Sequence, residues 1–272
     1  ALPICISGLS HGTDVWLGNA QDLIKSGTAT ITTCICTRDD IMIYLINKGL
    51  EHGQAFTIME SVRKGKGLKP EWIEEMKKHD VPDWYIESCK KIKYMFPKAH
   101  AAAYVMMGWR IAYCKIFHPL AYYAAYFSIR ATAFSYELMC QGKDKLEYFM
   151  DDYEKRKDTL SKKEQDTYKD MRIVQEMYAR GFDFVPIDIY KANAHTFQII
   201  DGKLMPALDT IEGLGDRAAD AVVAAAEEGN FLSLDDFRNR TKVTSSTIDL
   251  MNDLGLFGKL PKSNQMSLFD YQ

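Results

Sequence analysis

Apolar residues recur at three- and four-residue spacing through the first two-thirds of the chain, which predicts helices rather than strands. Asn19 to Lys25, Asp39 to Gly49 and Gly53 to Val62 carry that period, with Ile41, Leu45 and Ile46 marking one face. Trp72, Ile73 and Met76 continue it behind Pro70, and Asp83 leads a further helix through Trp84, Ile86 and Ile92 to the Phe96-Pro97 break. Pro97 has no backbone donor and a φ already helical, so it opens the next helix. That helix runs to about Phe117, is apolar on most sides, and is therefore expected to be buried. His118-Pro119 interrupts it, and Leu120 to Ile129 forms a Tyr-rich core helix.

From Gly142 to Gly181 the pattern becomes amphipathic, with Leu146, Phe149, Met150 and Tyr153 in one stripe amid charge. Ser161 with Glu164 is a capping-box signal, and Gly181 ends that helix. The pair reads as a solvated helical hairpin with a spacing role. Phe182 to Leu208 changes to strand chemistry, which puts a domain boundary near 182–188. Thr196 to Ile200, Asp201-Gly202, then Lys203 to Met205 reads as a two-strand hairpin around a type I′ turn. Gly213 to Gly258 holds two short helical units, the first running from Asp216 to Glu228 and the second from Lys242 to Leu254. Beyond Pro261 the chain is polar and reads as a flexible tail.

Composition adds little to this picture. A hydrophobic content of 47% and a charged content of 26% are ordinary for a globular chain with room for one large or two smaller domains. No apolar run is long enough for a membrane span. Ala1-Leu2-Pro3 has neither a start Met nor a leader, so the chain reads as a piece excised from a longer cytosolic polypeptide. The six cysteines are scattered and fit reduced structural roles; Cys34-x-Cys36 has no companion at zinc-finger spacing. The net charge of −3 gives no global sign of a nucleic-acid partner, so any such binding rests on local patches.

The candidate chemistry is concentrated at Phe96-Pro97-Lys98-Ala99-His100-Ala101-Ala102-Ala103-Tyr104. A helix start here presents free N–H groups, a positive dipole end, Lys98 and His100 together, a suitable cradle for phosphate oxygens. His100 and Tyr104 share a face beside three alanines that leave space for a large ligand. An ordinary helix start carries such residues too. Arg63-Lys64-Gly65-Lys66-Gly67 is a basic loop without P-loop spacing; it reads either as a phosphate-lined face or as a solvated loop. Ile6 to Thr13 reads as a compact loop in which Ser7, Ser10 and His11 contact a base or sugar edge. Ser10-His11 lacks the context of a nucleophilic pair.

Ile211-x-Gly213-Leu214-Gly215 has the form of a helix-hairpin-helix turn, in which glycines bring N–H groups to a DNA phosphate without reading sequence. Lys242, Ser245 and Thr247 at the second unit's start are candidates for further phosphate contacts. In the tail, Gln265 with Leu268-Phe269 offers one amide and two large apolar groups to a partner pocket. No carboxylate set suited to two Mg²⁺ ions stands in a strand context, and no metal site is expected in this chain.

Ile6 to Trp16, Glu60 to Gly67 and Phe96 to Tyr104, with the Gly213–Gly215 hairpin and the Gln265 to Phe269 end, closely resemble the PolC-type DNA polymerase III alpha subunit of Gram-positive bacteria. The resemblance spans essentially the whole chain. It implies a mainly α fold: helical fingers over 1–185, then a small α+β duplex-DNA-binding domain over 186–261 with a β-hairpin and tandem helix-hairpin-helix units, then a tail over 262–272 that docks on the sliding clamp. It implies a bacterial cytoplasmic polymerase fragment whose Mg²⁺ is held by a palm outside this chain. Its partners would be primer-template DNA, incoming dNTP, the clamp and the rest of the polymerase, with no membrane. Ser7, Ser10, His11, Arg63, Lys64, Lys66, Phe96, Lys98, His100 and Tyr104 would face the nucleotide, in a pocket that anilinouracil- and guanine-type inhibitors contest in this family. The alternative is a non-catalytic helix-hairpin-helix adaptor that binds DNA and the clamp; it leaves the first third of the chain unexplained.

Overall fold

The structure, a computed structural model, describes residues 2–263. The chain divides into two compact units, Ala1–Ala112 and Tyr113–Gln272. The fold is mainly α, with one small antiparallel hairpin among the described residues.

The first unit holds α1 (Leu2–His11), α2 (Gln21–Lys25), α3 (Arg38–Asn47), α4 (His52–Arg63), α5 (Pro70–Lys78), α6 (Asp83–Lys91) and the first turns of α7 (Lys98–Phe117). The antiparallel α3–α4 pair is its centre, burying Ile41 and Leu45 against Ile58 and Val62. Tyr85 of α6 stacks on Tyr44 at 4.1 Å between ring centroids. The buried Asn19 amide donates to the carbonyls of Asp14 (3.0 Å) and Ser88 (3.2 Å), and Ser88 Oγ donates back to it at 2.7 Å. Helix boundaries follow the sequence signals closely here, because Pro70, Asp83 and Pro97 fix helix starts chemically.

Two expectations fail in this unit. Residues 6–13 are not a loop: α1 continues to His11, and Ser10 Oγ donates to the Ser7 carbonyl (3.0 Å), a back-bond that lets a serine sit in a helix. Nor is α7 buried. Only Ala101 is, while Met106, Met107, Trp109 and Ile111 are each more than half exposed. An apolar period identifies a helix that needs cover, and none of the described residues supplies it.

The second unit holds α8 (Pro119–Ile129), α9 (Tyr136–Met139), α10 (Lys143–Lys155), α11 (Lys162–Ala179), the strands β1 (Gln198–Ile200) and β2 (Lys203–Met205), then α12 (Asp216–Glu228), α13 (Leu234–Thr241) and α14 (Ser245–Asp253). Tyr123 and Phe127 of α8 pack with Leu146, Met150 and Tyr153 of α10 and Met171 and Val174 of α11. The Ser161–Glu164 capping box is present. The β-hairpin pairs Gln198 with Met205 and Ile200 with Lys203. Asp201 (φ 48°) and Gly202 (φ 76°) both take the left-handed conformation a type I′ turn demands. Asp183 and Val185 add backbone bonds to Leu204, which explains the change to strand chemistry after Phe182. A second core of Leu208, Ile211, Leu214, Val222, Phe237 and Met251 unites α12, α13 and α14. Helix α13 has a start signal the periodicity did not expose: Ser233 Oγ caps the Asp236 N–H at 3.1 Å.

Candidate functional site

Residues 93–98 form an extended strip that brings four chain segments together in the first unit. The Lys93 N–H donates to the Thr13 carbonyl (3.1 Å) and the Thr13 N–H to the Tyr94 carbonyl (2.9 Å). The Met95 N–H donates to the Arg63 carbonyl, and the Arg38 N–H to the Phe96 carbonyl, both at 3.2 Å. The Lys98 N–H, in the first turn of α7, donates to Asp39 Oδ2 at 2.6 Å. Gly65 permits the strip's close approach: its φ is +69°, and a Cβ there would lie 2.4 Å from the Lys93 carbonyl oxygen.

On this frame sits a connected set of rings. Phe96 stacks on His100 (4.6 Å, 22°), His100 meets Tyr104 at 4.6 Å, and His11 lies 5.2 Å from Tyr104 and 5.8 Å from His100. Tyr94 stands edge-on to Phe96 at 5.1 Å. Tyr104 is exposed and Phe96 and His100 are half-buried, so ring surface is open to a flat apolar partner. His11 Nδ1 is 2.6 Å from the Ser7 carbonyl and 3.0 Å from Ser10 Oγ, closing a small polar knot at the end of α1. Ser7 Oγ is buried without a hydrogen-bond partner among the described residues.

The basic side chains beside the rings are held by carboxylates. Lys98 Nζ is 2.7 Å from Asp40 Oδ1, an ion pair that raises the ammonium's pKa. Asp40 Oδ2 also accepts the Thr37 N–H (2.8 Å) and hydroxyl (2.9 Å), capping α3. Glu60 takes Arg63 in a two-bond fork (2.8 and 2.9 Å), Lys64 at 3.1 Å and Arg38 at 3.2 Å. The Arg63 guanidinium holds the Glu60 carboxyl down at about 2. Lys66 is exposed, and its N–H closes the end of α4 on the Ser61 carbonyl. The sequence motifs marked neither Arg38 nor Asp39 and Asp40, and they included Glu60 without giving it a role. Arg38-Asp39-Asp40 reads in sequence only as an acidic helix start, and its proximity to residues 96–98 is a tertiary fact.

In the second unit the Ile211–Gly215 turn precedes α12. Gly213 (φ +80°) approaches the start of α14 so closely that a Cβ would lie 2.7 Å from Thr247 Oγ1. The N–H groups of Gly213, Gly215, Asp216 and Arg217 make no hydrogen bond among the described residues, so four donors face outward around the first turn of the helix. The preceding Glu212 N–H is taken by Glu137 Oε1 at 2.9 Å, and the intervening Leu214 N–H by the Ile211 carbonyl at 3.1 Å. Ser245 is exposed at the start of α14, and Lys242 is an exposed left-handed residue ending α13. Thr247 is buried, its hydroxyl 2.9 Å from that of Thr244, which caps the same helix. Its role in the structure is to seat the hairpin turn rather than to line the surface. Gln265, Leu268 and Phe269 lie outside the described residues.

One further cluster escaped the motif reading. His195 Nδ1 lies 2.8 Å from Asp209 and its Nε2 3.0 Å from Asp220, and the pair raises its pKa, Asp209 most. His195, Asp209 and Asp216 form a group whose ligand atoms lie within 4.8 Å of one another. With one imidazole and both its nitrogens engaged by carboxylates, this group does not match the all-oxygen set that Mg²⁺ prefers. No helix among the described residues is long and apolar enough to cross a membrane.

Two family models match parts of the chain, the first covering His11, Arg38 and Glu60 but not residues 93–104. The bacterial DNA polymerase III alpha subunit finger domain matches residues 4–80, and the helix-hairpin-helix motif matches residues 181–267. The chain thus carries a match to a polymerase III finger domain followed by a match to a helix-hairpin-helix motif. It is 50% identical over 264 residues to DNA polymerase III PolC-type of Caldanaerobacter subterraneus subsp. tengcongensis, 97% of this chain and 19% of that protein. It is 51% identical to the Oceanobacillus iheyensis protein of the same name over 98% of the chain, and 54% identical to that of Streptococcus sanguinis over 97%. The chain is a homologue of PolC-type DNA polymerase III over nearly its whole length, and it spans 19% of the length of these relatives.

Proposed function

We propose that this chain is the nucleotide- and duplex-handling part of a replicative DNA polymerase. The ring cluster of His11, Phe96, His100 and Tyr104, with Lys98 at the same helix start, carries the reading. Stacked rings accept a base or sugar, and a helix N-terminus with a lysine accepts phosphates. The reaction is nucleotidyl transfer: a primer 3′-hydroxyl attacks the α-phosphate of the dNTP, and pyrophosphate leaves. This chain's share is positioning and charge neutralisation. Ser7, Ser10, Arg63, Lys64 and Lys66 border the same surface. Divalent metal, Mg²⁺ in this reading, would be held by carboxylates of the remaining polypeptide and would supply neutralisation of phosphate charge; the His195 group is not suited to it.

The duplex is gripped through the outward N–H groups around Gly213 and Gly215, with Lys242 and Ser245 adding contacts; such donors hold backbone phosphate regardless of sequence. Thr247 supports this surface from beneath. The domain division proposed is fingers over 1–185, duplex-binding over 186–261 and a clamp-docking tail over 262–272. The helix-hairpin-helix match starting at residue 181 supports the first of these boundaries. The polymerase works in the bacterial cytoplasm.

The test is steady-state kinetics of the full-length polymerase carrying Lys98→Ala or His100→Ala. Each raises the dNTP KM or lowers kcat while clamp stimulation persists; wild-type constants in both refute the nucleotide assignment. Replacing Leu268 and Phe269 by Ala abolishes clamp-stimulated processivity and spares distributive synthesis, and retained stimulation refutes the tail assignment.

A further inference from the structure

We propose that Glu60 is a positioning residue that gathers Arg38, Arg63 and Lys64 into one phosphate-binding cluster, and that Arg38 is itself one of the ligand-binding groups. The inference rests on the polymerase reading above and extends it to two residues that reading does not use.

Three cations converge on one carboxylate. Glu60 Oε1 is 3.2 Å from Arg38 Nη1 and 2.8 Å from Arg63 Nε, while Oε2 is 2.9 Å from Arg63 Nη2 and 3.1 Å from Lys64 Nζ. Three positive charges against one negative leave the group two positive charges in excess. A structural ion pair needs one partner for Glu60; three leave basic side chains fixed in place and undercompensated, which suits a polyanion. Arg63 keeps the Glu60 carboxyl ionised down to about pH 2, so the arrangement persists across the physiological range.

Arg38 carries a second sign. Its Nε is buried and has no hydrogen-bond acceptor among the described residues, although its Nη1 is engaged. An arginine presents its Nε–H and one Nη–H as a fork to a phosphate or carboxylate. Glu60 takes Nη1, on the other side of the guanidinium, so it uses no donor of that fork, and the Nε–H of the fork is left unmet. The cluster is also tied by backbone to the strip of the proposed site. The Arg38 N–H bonds the Phe96 carbonyl, and the Arg63 carbonyl accepts the Met95 N–H, both at 3.2 Å. Moving either arginine's backbone moves the strand of chain that leads to Lys98.

The ligand chemistry is a phosphate group, from the triphosphate of an incoming nucleotide or from the phosphodiester backbone of primer-template DNA. Full-length polymerase carrying E60Q, R38A or R38K distinguishes these sources through dNTP KM and primer-template Kd. R38A raises one constant about ten- to hundredfold, the loss of a charged hydrogen bond; a rise in KM alone assigns the triphosphate, and a rise in Kd alone the DNA backbone. R38K keeps the charge and loses the fork, so it gives an intermediate loss, and it decides the matter if R38A fails to fold.

E60Q gives opposite signs for the two roles Glu60 can have. A carboxylate that merely competes for the cations would, when neutralised, tighten phosphate binding. One that positions them would, when neutralised, weaken binding despite the added positive charge, with the same constant moving as in R38A and kcat changing less. Tighter binding in E60Q, or wild-type constants in R38A and R38K, overturns the inference. Lys98→Ala and His100→Ala run in parallel: a KM effect there with neither KM nor Kd moved at Arg38 sinks the cluster alone, and no effect anywhere sinks the nucleotide reading as well.

Discussion

The approach of Gly65 to the 93–98 strip predicts a difference between two neighbouring glycines. Gly65 and Gly67 have nearly the same backbone conformation, φ +69° and +72°. At Gly67 a Cβ meets nothing within 4 Å. Gly67→Ala therefore carries only the left-handed penalty of about 1–2 kcal/mol. The stiffer unfolded chain offsets about 0.4–1 kcal/mol of it, leaving a net cost near ~1 kcal/mol. At Gly65 the new methyl lies 2.4 Å from the Lys93 oxygen and 3.0 Å from its carbonyl carbon, both rigid backbone. Carbon and oxygen settle at about 3.3 Å or beyond, so the strip must retreat by roughly 1 Å, adding about 1–3 kcal/mol. The expected costs are thus about 1 kcal/mol at Gly67 and about 2–4 kcal/mol at Gly65.

Urea unfolding followed by tryptophan fluorescence measures this, because Trp16, Trp72, Trp84 and Trp109 all lie in the first unit. Midpoints should move with little change in slope. A second readout separates strip from loop: in the full-length enzyme Gly65→Ala displaces the approach to Phe96 and Lys98 and raises dNTP KM, whereas Gly67→Ala does not. Equal destabilisation by the two substitutions would refute the reasoning, since it would mean that the strip does not lie against Gly65.

Three other outcomes follow from the same bonds. Ser161→Ala removes the cap over Glu164 N–H and should cost about 1 kcal/mol in unfolding of the second unit by circular dichroism, with Ser161→Asp recovering most of it; an unchanged midpoint counts against the cap. His195 has its pKa raised by Asp209 and Asp220, so its stabilising contribution is complete below its unfolded value and lost as pH rises through the raised native one. An NMR titration should show that raised value falling towards the ordinary one in Asp209→Asn, and an unmoved titration contradicts the pairing. Glu60 has the opposite sign: its contribution is present above its unfolded carboxyl value and lost as pH falls towards about 2, so a carboxyl titration midpoint near the ordinary value would refute the threefold ion pair.

What could be read from the chain was whatever is written in local chemistry. Pro70, Pro97 and Pro119 fix helix starts, Ser161 with Glu164 caps one, and Asp201-Gly202 dictates a turn, so those elements stand where their residues put them. Helix α1 was hidden because serine and glycine favour loops until a hydroxyl back-bonds within the helix, as Ser10 does. The burial of α7 was misjudged for a different reason. Periodicity reports that a face is apolar and says nothing about what covers it, and the relatives are five times longer than this chain. At the site, the motif residues were visible singly. Their partners Arg38, Asp39 and Asp40 were not, because each is joined to residues 96–98 by tertiary bonds between distant positions, and Glu60, three and four residues before Arg63 and Lys64, gains its third cation only through the fold.

The overall charge of −3 conceals the two proposed phosphate-handling surfaces because neither of them registers in a sum of side chains. In the first unit the basic groups are locally matched by acids: Lys98 by Asp40, and Arg63, Lys64 and Arg38 by Glu60. The acids cancel charge in the count, yet they fix where the cations sit, and a fixed cation loses less entropy on meeting a phosphate than a mobile one. In the second unit the donors are backbone N–H groups around Gly213 and Gly215, which carry partial charge from the helix dipole and none in the composition. Asp216 in that first turn even lowers the net charge while stabilising the helix whose N-terminus is proposed to bind phosphate. Charge placed by carboxylates and charge borrowed from the backbone are both compatible with an acidic chain, so a polyanion-binding role here depends on geometry at two short stretches and is independent of the total.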